Sequence, residues 1–247
     1  MPIDLPSGDW TALLIGDQWP SYTSLEAMFA SAGARQRSAQ EFEQYAQLLA
    51  AIRGQSLASQ EGLTAEDTRA TFMVNENHAR DIATSNSAKS KSYAAAHRAG
   101  SELRGALREL ASEGNNRIDA VNKSKITLPE KIAQILEIIT DIRTRAFGKA
   151  ATCAGEIYSE IQKTLAAQGI DTPPRVFAAS KGVKPAETVA NDPAKLQEAI
   201  ANKLQARQDS VSTTTPEATQ STNQGLDGGI RYRLEVGRFE CVECLHR

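Results

Sequence analysis

Residues Thr64 to Lys123 read TAEDTRATFMVNENHARDIATSNSAKSKSYAAAHRAGSELRGALRELASEGNNRIDAVNK, with no proline anywhere in the stretch. Their apolar members recur at steps of three and four. In the second half the series is Tyr93, Ala96, Gly100, Leu103, Leu107, Leu110, Gly114, Ile118 and Val121. That spacing keeps one face of a helix turned toward a partner helix. At 1.5 Å per residue the rod would be on the order of 80–90 Å long, more than a compact core needs. Glycines inside a helix cost roughly 1 kcal/mol each relative to alanine. Gly100, Gly105 and Gly114 therefore mark close helix approach or bends, and Ser112-Glu113-Gly114-Asn115-Asn116 is the expected weak point.

Upstream, Thr23-Ser24-Leu25-Glu26 has the form of a capping box and opens a helix over about 24–53. Its seam is Leu25, Met28, Phe29, Ala32, Ala39, Phe42, Ala46, Leu49 and Ile52. Gly54 to Leu63 is a short polar connection that implies an antiparallel return. Thr64 then serves as N-cap of the long helix (64–123), with Glu66 and Asp67 suited to the first-turn dipole. Its first half carries Phe72, Met73, Ile82 and Ala83, followed by a polar zone from Thr84 to Ser92. Downstream, Thr127-Leu128-Pro129-Glu130 combines a hydroxyl cap, an early proline and a glutamate at N3. From Leu128 the seam runs through Ile132, Ile135, Ile139, Ile142, Ala146, Ala150, Cys153, Ile157, Ile161 and Leu165. Gly169 and Pro173-Pro174 end this helix, over about 127–168. Residues 22–169 thus read as an all-α, elongated antiparallel helical hairpin or three-helix bundle.

The flanks differ in character. Residues 1–21 form an irregular leader punctuated by proline and glycine, and they hold both tryptophans, Trp10 and Trp19. These either clasp the bundle or anchor a partner. Residues 170–192 are a proline-bearing linker, and Asp192-Pro193 begins a short helix over about 193–207, with Leu196, Ile200 and Leu204 on one stripe. Residues 208–229 are rich in Ser, Thr, Gln, Asn and Gly, a composition that favours a largely disordered tail. Residues 230–236 alternate and read as a strand without a partner.

Composition narrows the function. A net charge of −2 gives no basic field for nucleic acid or an anionic membrane. No apolar run is long enough to span a bilayer, and Met1 to Trp10 lacks the basic and apolar regions of a conventional signal peptide. Three cysteines do not make a disulfide framework. Cys241, Cys244 and His246 supply at most half of a tetrahedral zinc site, so no metal is expected there. Cys153 lies on the core stripe as a small hydrophobe. His78 with Asp81 lacks the paired Glu-x-x-His pattern of a di-iron bundle, and His78 and His97 both read as solvated. No nucleophile elbow, phosphate loop or dinucleotide-binding glycine pattern occurs. The expectation is a non-enzymatic chain without cofactors.

The segment Leu13-Leu14-Ile15-Gly16-Asp17-Gln18-Trp19-Pro20 leads into a long helix, a polar loop and a longer helix; a third amphipathic helix then precedes a low-complexity region. Over roughly residues 8–168 this layout resembles the N-terminal region of actinobacterial, especially mycobacterial, substrates of the type VII (ESX) secretion system. These are larger relatives of the small Trp-x-Gly helical-hairpin proteins. The resemblance implies a secreted or cell-envelope-associated protein that works through a helical partner, a secretion chaperone or self-association. It also implies an export signal of the form Tyr-x-x-x-Asp/Glu, which Tyr22 and Glu26 match. Two features depart from the family. The connection ends in Gly62-Leu63 with no tryptophan, and the tyrosine motif opens the first helix instead of following the second. Two other readings stand beside this one: a cytoplasmic coiled-coil adaptor, and the export domain of an effector whose catalytic part is lacking.

Overall fold

The computed structural model describes residues 4–183 and 192–212. Every regular element among them is helical, so the chain is all-α as its periodicity predicts. The helices are α1 (Thr11–Ile15), α2 (Tyr22–Ala51), α3 (Leu63–Lys123), α4 (Leu128–Ala166), α5 (Pro174–Ser180) and α6 (Pro193–Ser212). A 3₁₀ turn (Gly16–Gln18) follows α1, and a single π-type turn (Ile52–Ser56) ends α2. The leader is therefore partly helical, and the 170–192 linker contains a short helix that its weak apolar content conceals. The Cys241, Cys244 and His246 group, the 230–236 segment and most of the expected disordered tail lie outside the described residues.

The helix ends show which caps operate. α2 is capped by Ser21, whose hydroxyl accepts the Ser24 N–H at 3.1 Å, two residues before the expected cap at Thr23. Ser21 is extended, at φ −68° and ψ 141°, as an N-cap residue must be, and the helix follows at once from Tyr22. Ser21→Ala is expected to cost about 1 kcal/mol and Thr23→Ala less than about 0.5 kcal/mol in denaturant unfolding. The reverse order would restore the cap to Thr23. α3 likewise starts one residue before Thr64, after Gly62 at φ 100° with no side-chain cap. At α4 the expected box is present: Glu130 accepts the Thr127 backbone N–H at 2.9 Å and its hydroxyl at 2.8 Å. At the other end, Ile170 N–H bonds Leu165 C=O and Gly169 N–H bonds Ala166 C=O. Gly169, at φ 69°, supplies the left-handed residue this Schellman closure needs.

α3 is the spine, and α2 and α4 lie antiparallel along staggered, partly overlapping stretches of it rather than along one another. On α2, Leu25 meets Gly100, Ala32 meets Ser90, Arg35 meets Asn86 and Arg53 meets Glu76. On α4, Asp141 and Arg145 meet Arg117 and Glu113, while Glu160 and Thr164 meet Ser92. The buried face of α3 moves to match. It runs Glu76, Ala79, Ala83, Asn86 and Ser90 under α2, then Leu103, Leu107, Leu110, Gly114 and Ile118 under α4 and the leader. The polar zone from Thr84 to Ser92 lies where α4 joins α2 on the spine. There Ser90 donates to Ala32 C=O at 2.9 Å, and Ser92 donates to Glu160 C=O at 3.1 Å.

Three seam assignments are corrected. Phe29, Met73 and Leu128 are exposed. Phe29 and Met73 each sit one residue from a seam position, and a step of one carries a side chain about 100° around the helix. His97, expected in solvent, is half-buried, with its ring 5.4 Å from that of Phe29.

Candidate functional site

The main apolar cluster surrounds the upper half of α3, and the leader completes it. Trp10 and Leu14 are fully buried, and Ile15 and Trp19 nearly so, beside Leu107, Ile118, Ile135, Ile139 and Ile142. The run at 112–116, expected to be weak, is the leader's docking point within an unbroken helix. A Cβ on Gly114 would lie 2.6 Å from a Leu14 methyl, so the glycine is what lets the leader approach. Asn115 beside it accepts the Trp10 backbone N–H at 3.0 Å and donates to Thr11 Oγ1 at 3.1 Å.

Arg104 fastens the leader's other end. It donates to Asp4 Oδ2 at 2.6 Å and to Pro20 C=O at 2.9 Å. Its guanidinium also lies 4.4 Å from the Trp19 ring centroid, and Trp19 Nε1 donates to Asp4 Oδ1 at 3.3 Å. Burial pushes the Asp4 carboxyl up, but Arg104 and the indole N–H outweigh it and hold the group below its ordinary value. Arg104 and Asn115 carry no sequence signal of this role, since each resembles any polar residue on a solvated face. Both tryptophans thus face inward as a clasp, and neither presents its ring as an open anchor.

The outer half of the α2–α3 hairpin is built differently. Ala32, Ala39 and Ala46 of α2, at intervals of seven, and Ala79 and Ala83 of α3 are the buried small residues of its seam. α4 meets α3 only as far down as Ser92. Two helices can bury only the faces they turn to each other. Tyr45 and Leu48 on α2 and Met73 and Val74 on α3 remain exposed, Leu48 at 56% and Val74 at 64%. One buried ionic group interrupts the alanine seam: Glu76 pairs with Arg53 at 3.0 Å and Arg80 at 2.5 Å.

The hydrogen bond from Arg53 holds Glu76 below its ordinary value of 4.5 despite burial, and Arg80 adds to the effect. A carboxyl depressed in the folded state stabilises fully above its unfolded value, and the contribution is lost as pH falls through the folded one. Glu76→Gln is therefore expected to lower the melting temperature at pH 7, with the gap to wild type narrowing over the acid interval below pH 4.5. A gap that stays constant over that interval would show that the carboxylate charge is not what holds the tip.

Tyr22 and Glu26 are both exposed, one turn apart at the start of α2. The Glu26 carboxylate pushes the Tyr22 phenol above its ordinary value, and the Tyr22 ring centroid lies 6.0 Å from the Arg104 guanidinium. The motif thus sits on the surface immediately beside the leader clasp. His78 is exposed, and burial raises the Cys153 thiol. Among the described residues no group of three or more His, Cys, Asp or Glu is placed to hold a metal ion. None of the described helices is long and apolar enough to cross a membrane.

The chain is similar to the uncharacterized protein Rv2082 of Mycobacterium tuberculosis, with 29% identity over 162 residues. The match covers 66% of this chain and 22% of that protein, so the chain spans about a fifth of the relative's length. No family model matches the chain, and no solved structure does.

Proposed function

We propose that this is a non-enzymatic, secreted or cell-envelope-associated protein of a type VII (ESX) secretion system, acting by pairing its α2–α3 hairpin with a helical partner. The observation that carries the pairing is the outer half of the hairpin, where the seam is only two helices deep and Tyr45, Leu48, Met73 and Val74 stand in solvent. Each would bury apolar surface worth about 25 cal/mol per Å² against a helix laid alongside. Three features support the secretion context: the leader layout from Leu13 to Pro20, the surface position of Tyr22 and Glu26, and the likeness to a mycobacterial protein.

The test is to express the tagged chain in a mycobacterial host with the type VII ATPase intact or inactivated, and to compare culture filtrate, envelope and lysate. Export that requires the ATPase is expected, with the Tyr22→Ala/Glu26→Ala chain retained inside the cell. Retention in both hosts would favour the cytoplasmic adaptor reading.

A further inference from the structure

α6 reads in sequence as a short helix between linker and tail, and its stripe of Leu196, Ile200 and Leu204 joins the main apolar cluster. Asp192 caps its first turn, accepting the Ala194 N–H at 3.1 Å. Among the described residues α6 packs on α4 and over the leader, and little else holds it. Lys203 Nζ lies 5.4 Å and the Arg207 guanidinium 5.8 Å from the Trp10 ring centroid. Arg207 also pairs with Asp9 of the leader and lies 3.8 Å from Asp119 of α3. These ion pairs are partly solvent-exposed, where such contacts are weak and screened by salt. Beneath them the Trp10 indole N–H is buried with no hydrogen-bond partner. With α6 seated, a polar group therefore stays dry and unpaired.

We propose that α6 is a removable strap, and that its seat on α4 and Trp10 receives a basic amphipathic helix of another protein in its place. The seat defines that helix: apolar residues at i, i+4 and i+8 to replace Leu196, Ile200 and Leu204, and cations at i+7 and i+11 to replace Lys203 and Arg207. The aromatic face of Trp10 and the carboxylates of Asp9 and Asp119 select the positive charge. An incoming helix that also brings an acceptor to the indole N–H gains a bond that α6 forgoes. α6 packs on one long helix, whereas the spine is covered by α2, α4 and the leader, which makes α6 the part that yields. This seat lies on the leader side of the molecule, away from the outer hairpin, and does not depend on the secretion reading.

Hydrogen exchange on the intact chain tests the strap. Amides of residues 196–204 are expected to exchange at least about tenfold faster than those of 103–110 and 135–142, and faster still in high salt. Equal protection would overturn the proposal. A labelled synthetic peptide of residues 192–207 then tests the seat. It is expected to bind the Ile200→Asp chain at least about tenfold more tightly than the wild-type chain, and a peptide carrying Lys203→Glu and Arg207→Glu about tenfold more weakly. Equal binding to both chains, binding to neither, or indifference to charge reversal would overturn it. So would concentration-dependent dimerisation abolished by Ile200→Asp, which would assign the seat to the α6 of a second copy. If circular dichroism shows that Ile200→Asp unfolds the bundle, the exchange experiment on the intact chain decides alone.

Discussion

Trp10→Ala is expected to destabilise the protein by about 3–5 kcal/mol, the range for emptying a large aromatic site in a packed core. The indole is fully buried between α3, α4 and α6, and its backbone N–H is tied to Asn115. No neighbour can collapse into the space without moving a helix, because Gly114 already brings Leu14 against the spine. For a chain of this size the loss corresponds to a fall in melting temperature on the order of 10 °C. Thermal unfolding followed by circular dichroism measures it. A fall of less than about 1 °C would mean that the leader is dispensable and that the clasp of Arg104, Asp4 and Asn115 does not constrain the bundle.

A matched pair of leucines separates core from partner surface. Leu107→Ala is expected to cost about 2–5 kcal/mol, whereas Leu48→Ala, the same chemical change, stays within about 0.5 kcal/mol. Leu107 is fully buried at the centre of the cluster, and Leu48 is 56% exposed on the outer hairpin. The difference is environment alone. In co-purification from a mycobacterial host the order should invert: Leu48→Ala weakens partner recovery, while any Leu107→Ala chain that folds keeps it. Equal destabilisation by both substitutions would mean that the outer hairpin is already covered in the isolated chain.

Much of this architecture is legible along the chain because helices announce themselves locally. The apolar steps from Ala96 to Ile118 coincide with the buried face of α3, with Tyr93 and Val121 half-buried at its ends, and the Thr127 to Glu130 box opens α4. Caps read by composition alone fared less well. Thr23 and Thr64 are plausible hydroxyls, but a cap also needs non-helical backbone at its own position, and that falls at Ser21 and Gly62 while both threonines lie inside their helices. Glu76, Arg104 and Asn115 could not be singled out from sequence. Each becomes important only because a residue 23 to 105 positions away lies opposite it.

What the chain by itself determined is its helicity, the lengths of its rods and the stripe each must bury, since these follow from contacts within a few residues. The tertiary structure decided which stripe meets which. It staggered α2 and α4 along α3, turned Gly114 and Asn115 from a weak point into the leader's berth, and laid the stripe of α6 into the core. Helical periodicity specifies that a face will be covered, but many faces of similar width could cover it. The choice falls to small residues and single polar bonds that match only when distant segments are brought together.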